Sequence, residues 1–425
     1  IEGLLAFFME STFFAVMFFG WEKVSARFHL TSTWLTAIGA SVSALWILIA
    51  NSWMQYPVGM EFDPDQMRNV MNDFWALVFS PVAINKIIHS VFSGWALAGV
   101  FVIGVSSWLL LKKSNKEMAL RSIKTGAWIG FIGIIITIGS GDGSAKVVSK
   151  IQPMKLAAME GLYHGEQGQS IAAFGILNPA KTYDNDESAF LFDISIPKGL
   201  SFLAEGDINA FIPGISDIIN GYKLNENGDT INTVSYAERI AIGKAAHKAL
   251  REYDDAKKAG DNASMLQAKE DLQKSFKYFG YGYFNSPEEA IPNVPITFYA
   301  FHIMVIFGSY ILILFAAILL FSYKKSLTHL LTDNKWIQII AILSIPVVWI
   351  CSEAGWVVAE VGRQPWTIEG LLPTRAAVSD IPTTSVITTF TLFAVVFMGL
   401  LAAEMNILFK YIIKRSKEDI DNSNN

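Results

Sequence analysis

The chain has 425 residues, of which 52% are hydrophobic and only 17% charged, and its mean hydropathy is +0.37. That composition excludes an ordinary soluble protein. The net charge of −5 leaves no footprint for nucleic acid, and the single cysteine, Cys351, excludes intrachain disulfides, a Cys-x-x-Cys-His attachment and cysteine-ligated iron–sulfur clusters.

Several apolar runs reach the roughly 20 residues that cross a hydrocarbon core about 30 Å thick. The predicted fold class is therefore an all-α polytopic membrane protein. Ile1 opens directly on EGLLAFFMESTFFAVMFFG, with no initiator methionine, basic n-region or cleavage site. This is the expected start of a fragment that begins at or inside a membrane helix. Seven candidate helices follow, at 2–20, 31–50, 82–111, 126–139, 296–321, 336–359 and 383–410. The fourth is short unless it reaches back toward Leu120. Helical periodicity adds nothing, because these segments are apolar nearly all round.

Loop charges orient the spans. Lys23 and Arg27 follow the first; Lys112, Lys113, Lys116, Arg121 and Lys124 follow the third; Lys324, Lys325 and Lys335 follow the fifth; Lys410, Lys414, Arg415 and Lys417 lie in the tail. The loop 60–73 instead carries Glu61, Asp63, Asp65 and Asp73 against Arg68 alone. The positive-inside rule puts the basic set in the cytoplasm. The start and the segment 140–295 are then outside and the C-terminus inside. The expected organisation is helices 1–4 in 1–139, an extracytoplasmic insertion in 140–295, helices 5–7 in 296–410 and a polar tail in 411–425. Within the insertion, 236–278 reads as a helical hairpin broken by Gly-Asp-Asn-Ala at 260–263, and the Gly-, Ser- and Asn-rich first half reads mostly as loop.

Oriented spans convert position into depth at about 1.5 Å per residue, which places His89 and Met304 both roughly 10–12 Å below the outer surface. One imidazole and one thioether at matched depth form the donor set of a six-coordinate, low-spin haem. The bland alternative is a structural histidine and a gap-filling methionine. Glu2 and Glu10 lie in the first helix, with Glu353 and Glu360 near the outer end of the sixth. A charged acid at a helix centre costs about 2.5–3.5 kcal/mol on insertion scales, so such groups are neutral, paired, metal-bound or part of a proton path. Glu2, Glu353 and Glu360 are close enough to the interface to snorkel instead; Glu10 is not. His302 lies on a different face from Met304, and His29, His164, His247 and His329 fall in polar segments and read as solvated. No HExxH, Walker, GxSxG or dinucleotide motif occurs.

The stretch 357–368, VVAEVGRQPWTI, resembles the GRQPW signature of subunit I of the cytochrome bd-type quinol oxidases. The resemblance extends through IEGLLAFFMEST at 1–12, SALWILIANSWMQYPVG at 43–59, IIHSVFSGW at 87–95, QPMKLAAMEG at 152–161, FHIM at 301–304 and EAGWVVAEVGRQPW at 353–366. It implies three haems: a low-spin haem b held by His89 and Met304, a high-spin haem b held by Glu360, and a haem d. It further implies Arg363 at the haem propionates and Trp356 packed among the haems. Glu2 and Glu10 fall near the oxygen-reducing haems, with Glu10 and Ser43 on the proton path. Gln152, Lys155 and Glu160 match the quinol-binding loop, with Glu160 accepting a proton and Lys155 polarising the quinone oxygen.

The implied activity is a quinol:oxygen oxidoreductase in the bacterial inner membrane, electrogenic without pumping. Its implied partners are a subunit II, possibly a small single-helix subunit, quinol and oxygen. Two departures stand out. The family has nine helices and the first two, with the histidine for haem d, find no match here. His302 stands where members often carry arginine. Two other readings remain at this stage: a cofactor-free proton or ion transporter, and a non-catalytic fragment that retains quinol and low-spin haem binding.

Overall fold

The computed structural model describes residues 3, 8–21, 23–66, 68–224 and 230–424. The first candidate span is represented by α1 (Phe8–Phe19), and Glu2 lies outside the described residues. Among the described residues, six further helices are long and apolar enough to cross a membrane. In chain order the first three are α2 (Ala26–Gln55), α3 (Pro81–Leu111) and α4 (Lys116–Ile151). A short buried helix, α5 (Pro153–Glu160), follows. Next come α6 (Tyr236–Ala259) and α7 (Asn262–Ser275), and then three more spans, α8 (Val294–Tyr323), α9 (Lys335–Val361) and α10 (Thr383–Asn424).

Helix ends follow local chemistry. Ser80 precedes Pro81 and its hydroxyl accepts from the Ala83 N–H at 3.2 Å, so α3 begins with a capping side chain and a proline where no intrahelical donor is lost. Ser235 and Glu238 form a capping box on α6, and Asp261 caps α7. The α4 helix exceeds the 126–139 window at both ends. Its polar extension holds a Lys146–Asp142 pair at 2.6 Å, one turn apart. Hydropathy marks where a helix leaves lipid, not where it stops.

The chain divides into two compact units: Ile1–Val91, Thr137–Ala300 and Val357–Ala376 in the first, and Phe92–Ile136, Phe301–Trp356 and Ala377–Asn425 in the second. The first unit has a core around α5: Leu156, Ala157 and Ala158 pack with Ile215, Phe284, Phe298 and Trp366. Trp366, the tryptophan of GRQPW, meets Tyr281 and Phe284 edge-on at centroid distances of 5.0 and 5.1 Å. The Gln364–Pro365 peptide before it is cis.

The Gly- and Ser-rich half of the polar segment is not mostly loop. Strands β1 (Ile171–Leu177) and β2 (Phe190–Ile196) form an antiparallel hairpin with two register shifts, and shorter strand pairs flank it. The hairpin escaped notice because its alternation is inverted, with apolar residues on the outward face.

The second unit packs through small residues. A Cβ on Gly99 would stand 2.6 Å from the Gly126 carbonyl oxygen, and one on Gly130 would stand 2.1 Å from the Phe315 ring. Gly126 and Gly130 form a G-x-x-x-G on α4, the close-approach pattern of helices in lipid. Val100, Ile103, Ile123, Ile311 and Ile318 fill the core around them.

Candidate functional site

The first unit gathers most of the polar residues that the spans bury. Glu360, in the last turn of α9, accepts from Arg363 at 2.6 Å on one oxygen and from Asn51 Nδ2 at 3.0 Å on the other. Asn51 Oδ1 in turn accepts from Lys86 Nζ. The glutamate and arginine of AEVGR therefore form one ion pair, spaced three residues apart across the helix end. Arg363 is only 6% exposed, and its Nε and Nη1 have no hydrogen-bond acceptor among the described residues. A buried guanidinium with two unanswered donors is costly unless an anion completes it.

A second set adjoins it. Lys155 Nζ donates to Gln55 Oε1 at 2.5 Å and Gln152 Oε1 at 3.0 Å, while Gln152 Nε2 donates to Glu369 Oε2 at 2.8 Å. Gln55 Nε2 donates to the Ala359 carbonyl at 3.0 Å, and the Glu369 N–H to the Met54 carbonyl at 2.9 Å. Burial draws Lys155 below and Glu369 above their ordinary pKa values; each opposes the other's shift through charge. Lys86, Arg363 and Glu360 all act electrostatically on Lys155, so the two sets form one neighbourhood of three cations and two carboxylates.

The α2 helix supplies the spine of this arrangement. Ser43, Asn51 and Gln55 recur at multiples of four residues and wind slowly round one side of it. One turn before Ser43, a Cβ on Gly39 would lie 3.1 Å from the Glu10 backbone nitrogen, and His29 Nε2 lies 2.9 Å from the Met17 carbonyl, so α1 packs alongside α2 with Glu10 against Gly39. Asn51 and Gln55 lie further along the same helix.

Glu160 faces elsewhere. Five residues beyond Lys155, it is about 140° away round α5. Its carboxylate is buried beside the Ala172 backbone N–H, and burial raises its pKa to about 8. It lines a cavity of about 460 Å³ with Tyr163, His164, Lys181, Phe190 and Asp193. Lys181 Nζ stands over the Tyr163 ring, 5.3 Å from its centroid, and donates to the Asn185 carbonyl at 2.5 Å and toward His164 Nε2 at 3.5 Å. Gly161 ends α5 at a φ of +62°, and a Cβ there would stand 2.9 Å from Leu177 Cδ2, so glycine is required just behind the glutamate. Among the described residues, Lys155 and Glu160 share no hydrogen-bond partner.

Of the axial candidates, His89 lies in the first unit and Met304 in the second. In the first, the Ser140 hydroxyl donates to the Thr137 carbonyl at 3.0 Å, so toward His89 Nδ1, at 3.2 Å, it acts as acceptor. That assigns the proton to Nδ1 and leaves the Nε2 lone pair for a metal. A Cβ on Gly141 would lie 3.6 Å from the His89 ring. In the second unit, a Cβ on Gly355 would lie 3.2 Å from Met304 Sδ, so glycine makes room for the thioether against α9. Trp356 there is 39% exposed, whereas His302 is buried.

Sequence reasoning missed Asn51, Gln55, Lys86 and Glu369. Lys86 was findable as a cation three residues before His89 in an otherwise apolar helix. Glu369 was not, since it lies past the span and gains its meaning only from Gln152. Gly362 shows the precision of the fit: a Cβ there would lie 2.5 Å from the Val358 carbonyl oxygen and 3.1 Å from Lys155 Cγ. Replacing Gly362 by alanine is expected to overpack this contact and to cost about 1–3 kcal/mol of stability. Thermal unfolding checks this, and an unchanged midpoint would show that Lys155 gives way freely.

The family described as cytochrome bd terminal oxidase subunit I matches residues 1–416. The chain is similar to the cytochrome bd-II ubiquinol oxidase subunit 1 of Escherichia coli (strain K12), at 33% identity over 428 aligned positions, covering 97% of this chain and 78% of that protein. It is also similar to the cytochrome bd ubiquinol oxidase subunit 1 of Bacillus subtilis (strain 168), at 30% identity, covering 98% and 74%. Among solved structures it resembles the bd oxidase from Geobacillus thermodenitrificans with a TM-score of 0.68, covering 97% of this chain and 76% of that one. The identity there is 22%, so that likeness is one of fold.

Proposed function

This chain belongs to the cytochrome bd terminal oxidase subunit I family, and on that premise we propose that it is the haem-bearing subunit of a quinol:oxygen oxidoreductase. The observation that carries the reading is Arg363, buried and paired with Glu360, with two guanidinium nitrogens still unanswered. Haem propionates are anions of the kind those donors require. The donor chemistry fits as well: a histidine with its Nε2 lone pair open, a thioether seated against a glycine, and a carboxylate in a cationic neighbourhood.

In this reading His89 and Met304 hold a low-spin haem b, and Glu360 holds a high-spin haem b. A haem d completes the set. Bound haem supplies one-electron redox steps and the oxygen-binding iron. The chain's own residues manage protons. Quinol oxidation to quinone releases two protons and two electrons. Glu160, brought near neutral pH by burial, accepts a proton in its cavity. Lys155 lies on another side of α5 and lines no part of that cavity; Gln152 links it to Glu369, the carboxylate of the neighbouring set.

Release at an outward-facing segment and uptake from inside through Glu10 and Ser43 separate charge without a pump. Glu2 joins Glu10 as an acid near the oxygen-reducing haems, and Trp356 packs beside them. A subunit II, and possibly a small single-helix subunit, complete the complex in the bacterial inner membrane, with 140–295 outside and the C-terminus inside.

Reduced-minus-oxidised spectra of the assembled oxidase test the proposal. We expect b-type bands, with the low-spin band lost in His89→Ala. A low-spin band that survives this substitution would remove His89 as a ligand, and absence of all haem bands would sink the oxidase reading.

A further inference from the structure

The hairpin β1–β2 carries its polarity inside out. On one face Ala172 pairs with Ser195, Gly175 with Asp193 and Leu177 with Phe190. Ala172, Phe190, Asp193 and Ser195 from that face line the Glu160 cavity. On the other face Phe174 pairs with Ile194 and Ile176 with Phe192. Those four are 47%, 56%, 44% and 52% exposed, and the Phe174 and Phe192 rings lie 6.4 Å apart. A water-facing antiparallel hairpin does the reverse, turning polar residues outward and apolar ones toward its own protein. A contiguous outward patch of large apolar side chains marks a surface built for something other than water.

What covers it follows from where the hairpin is anchored. The Leu177 N–H donates to the Tyr299 hydroxyl at 3.1 Å, and the Phe190 ring packs on Phe298 at a centroid distance of 5.6 Å. A Cβ on Gly175 would lie 3.2 Å from the same Phe298 ring, so the strand lies directly on the helix. Phe298 and Tyr299 sit in the second turn of α8, a helix within the most apolar span of the chain. They are only about 7 Å along it. The hairpin thus flanks a membrane span at the depth where acyl chains begin, and the exposed Tyr299 and Ile296 continue the apolar surface on the span itself.

We propose that the β1–β2 hairpin dips into the outer leaflet, with Phe174, Ile176, Phe192 and Ile194 in the acyl-chain region, and forms the lipid-facing wall of the Glu160 cavity. The occupant is the hydrocarbon of the bilayer. Insertion is shallow, because a two-stranded hairpin leaves an unpaired backbone edge on each side that stays at the headgroup level while the outward side chains reach the acyl chains. A lipid-soluble reductant then reaches Glu160 past this wall without first entering water. The membrane placement rests on α8 as a span and not on the role given to Glu160.

The test uses the complete oxidase in liposomes, with nitroxide spin labels on Phe192→Cys, on Ile194→Cys as a second position on the same face, and on Lys248→Cys on the polar surface of α6. The unsubstituted protein, whose one cysteine is Cys351, gives the background. Collisions with dissolved oxygen, which concentrates in lipid, are compared with collisions with a water-soluble nickel chelate. The oxygen-to-nickel accessibility ratio at both hairpin positions is expected to exceed that at 248 about tenfold. Nickel access equal to that at 248 would overturn the proposal in favour of a water-facing hairpin. Shielding from both colliders would overturn it in favour of a protein cover. Accessibility is read without turnover, so failure here is distinct from failure of the oxidase assignment.

Discussion

Replacing Glu160 by glutamine is expected to lower quinol oxidation at least about 100-fold, the scale of a lost general base, while leaving the haem bands in place. Glutamine keeps the shape of the side chain and removes only the proton-accepting oxygen charge, so a structural role would survive the change. The pH profile carries the sharper signature. Burial places the Glu160 pKa near 8, against an ordinary value of 4.5. The acceptor must be ionised, so turnover rises as pH climbs toward about 8 and levels above it, and the glutamine variant loses that rise. Stability runs the opposite way. Between pH 4.5 and 8 the folded chain holds a proton that the unfolded chain has released. Stability therefore falls as pH rises across that window, and Glu160→Gln flattens the fall. Thermal unfolding at pH 6 and 8.5 reads this independently of turnover. A variant with wild-type turnover and an unchanged pH profile would remove Glu160 from the proton path.

The spans were legible because lipid imposes a simple code: length, apolarity and loop charge leave little freedom. Glu360 and Arg363 were legible for the same reason, since charge beside an apolar run demands an explanation. The partners that decide their chemistry were not. Asn51 and Gln55 are neutral amides in a helix where polar residues also satisfy themselves locally, and only folding brings Asn51 onto Glu360 and Gln55 onto Lys155. Proximity in sequence misled in the segment 152–161. Lys155 and Glu160 belong to one motif, yet helix geometry sends one into the Arg363 neighbourhood and the other into a separate cavity. The hairpin was hidden because strand recognition expects apolar residues to face the protein, and here they face away from it. Glu2, read as an acid of the first span, lies outside the described residues.

Replacing Glu360 by alanine is expected to be among the most damaging changes in the chain. Arg363 is buried, and Glu360 is the one hydrogen-bond acceptor found for it among the described residues. Breaking a buried pair by removing one partner costs about 3–5 kcal/mol, because the surviving charge stays desolvated. Glu360 is about a third exposed at its side chain, so water reaches the vacated place and the lower end of that range applies. Glu360→Gln is a finer probe. Asn51 and Arg363 address different oxygens of the carboxylate, so the amide's carbonyl replaces only one of them, and its NH2 presents further donors to an arginine already short of acceptors. Glu360→Ala combined with Arg363→Met removes both charges, and most of the lost stability is expected to return. The spectrum is expected to behave differently. If Glu360 ligates the high-spin haem b and Arg363 answers its propionates, the double variant refolds without restoring the high-spin band. Chemical denaturation and difference spectra of all three variants separate the two roles. A double variant that recovers both would make the pair structural. One that recovers neither would mean that Lys86, which also bonds Asn51, has lost the negative charge it depends on, and Lys86→Met added to the pair should then restore the fold.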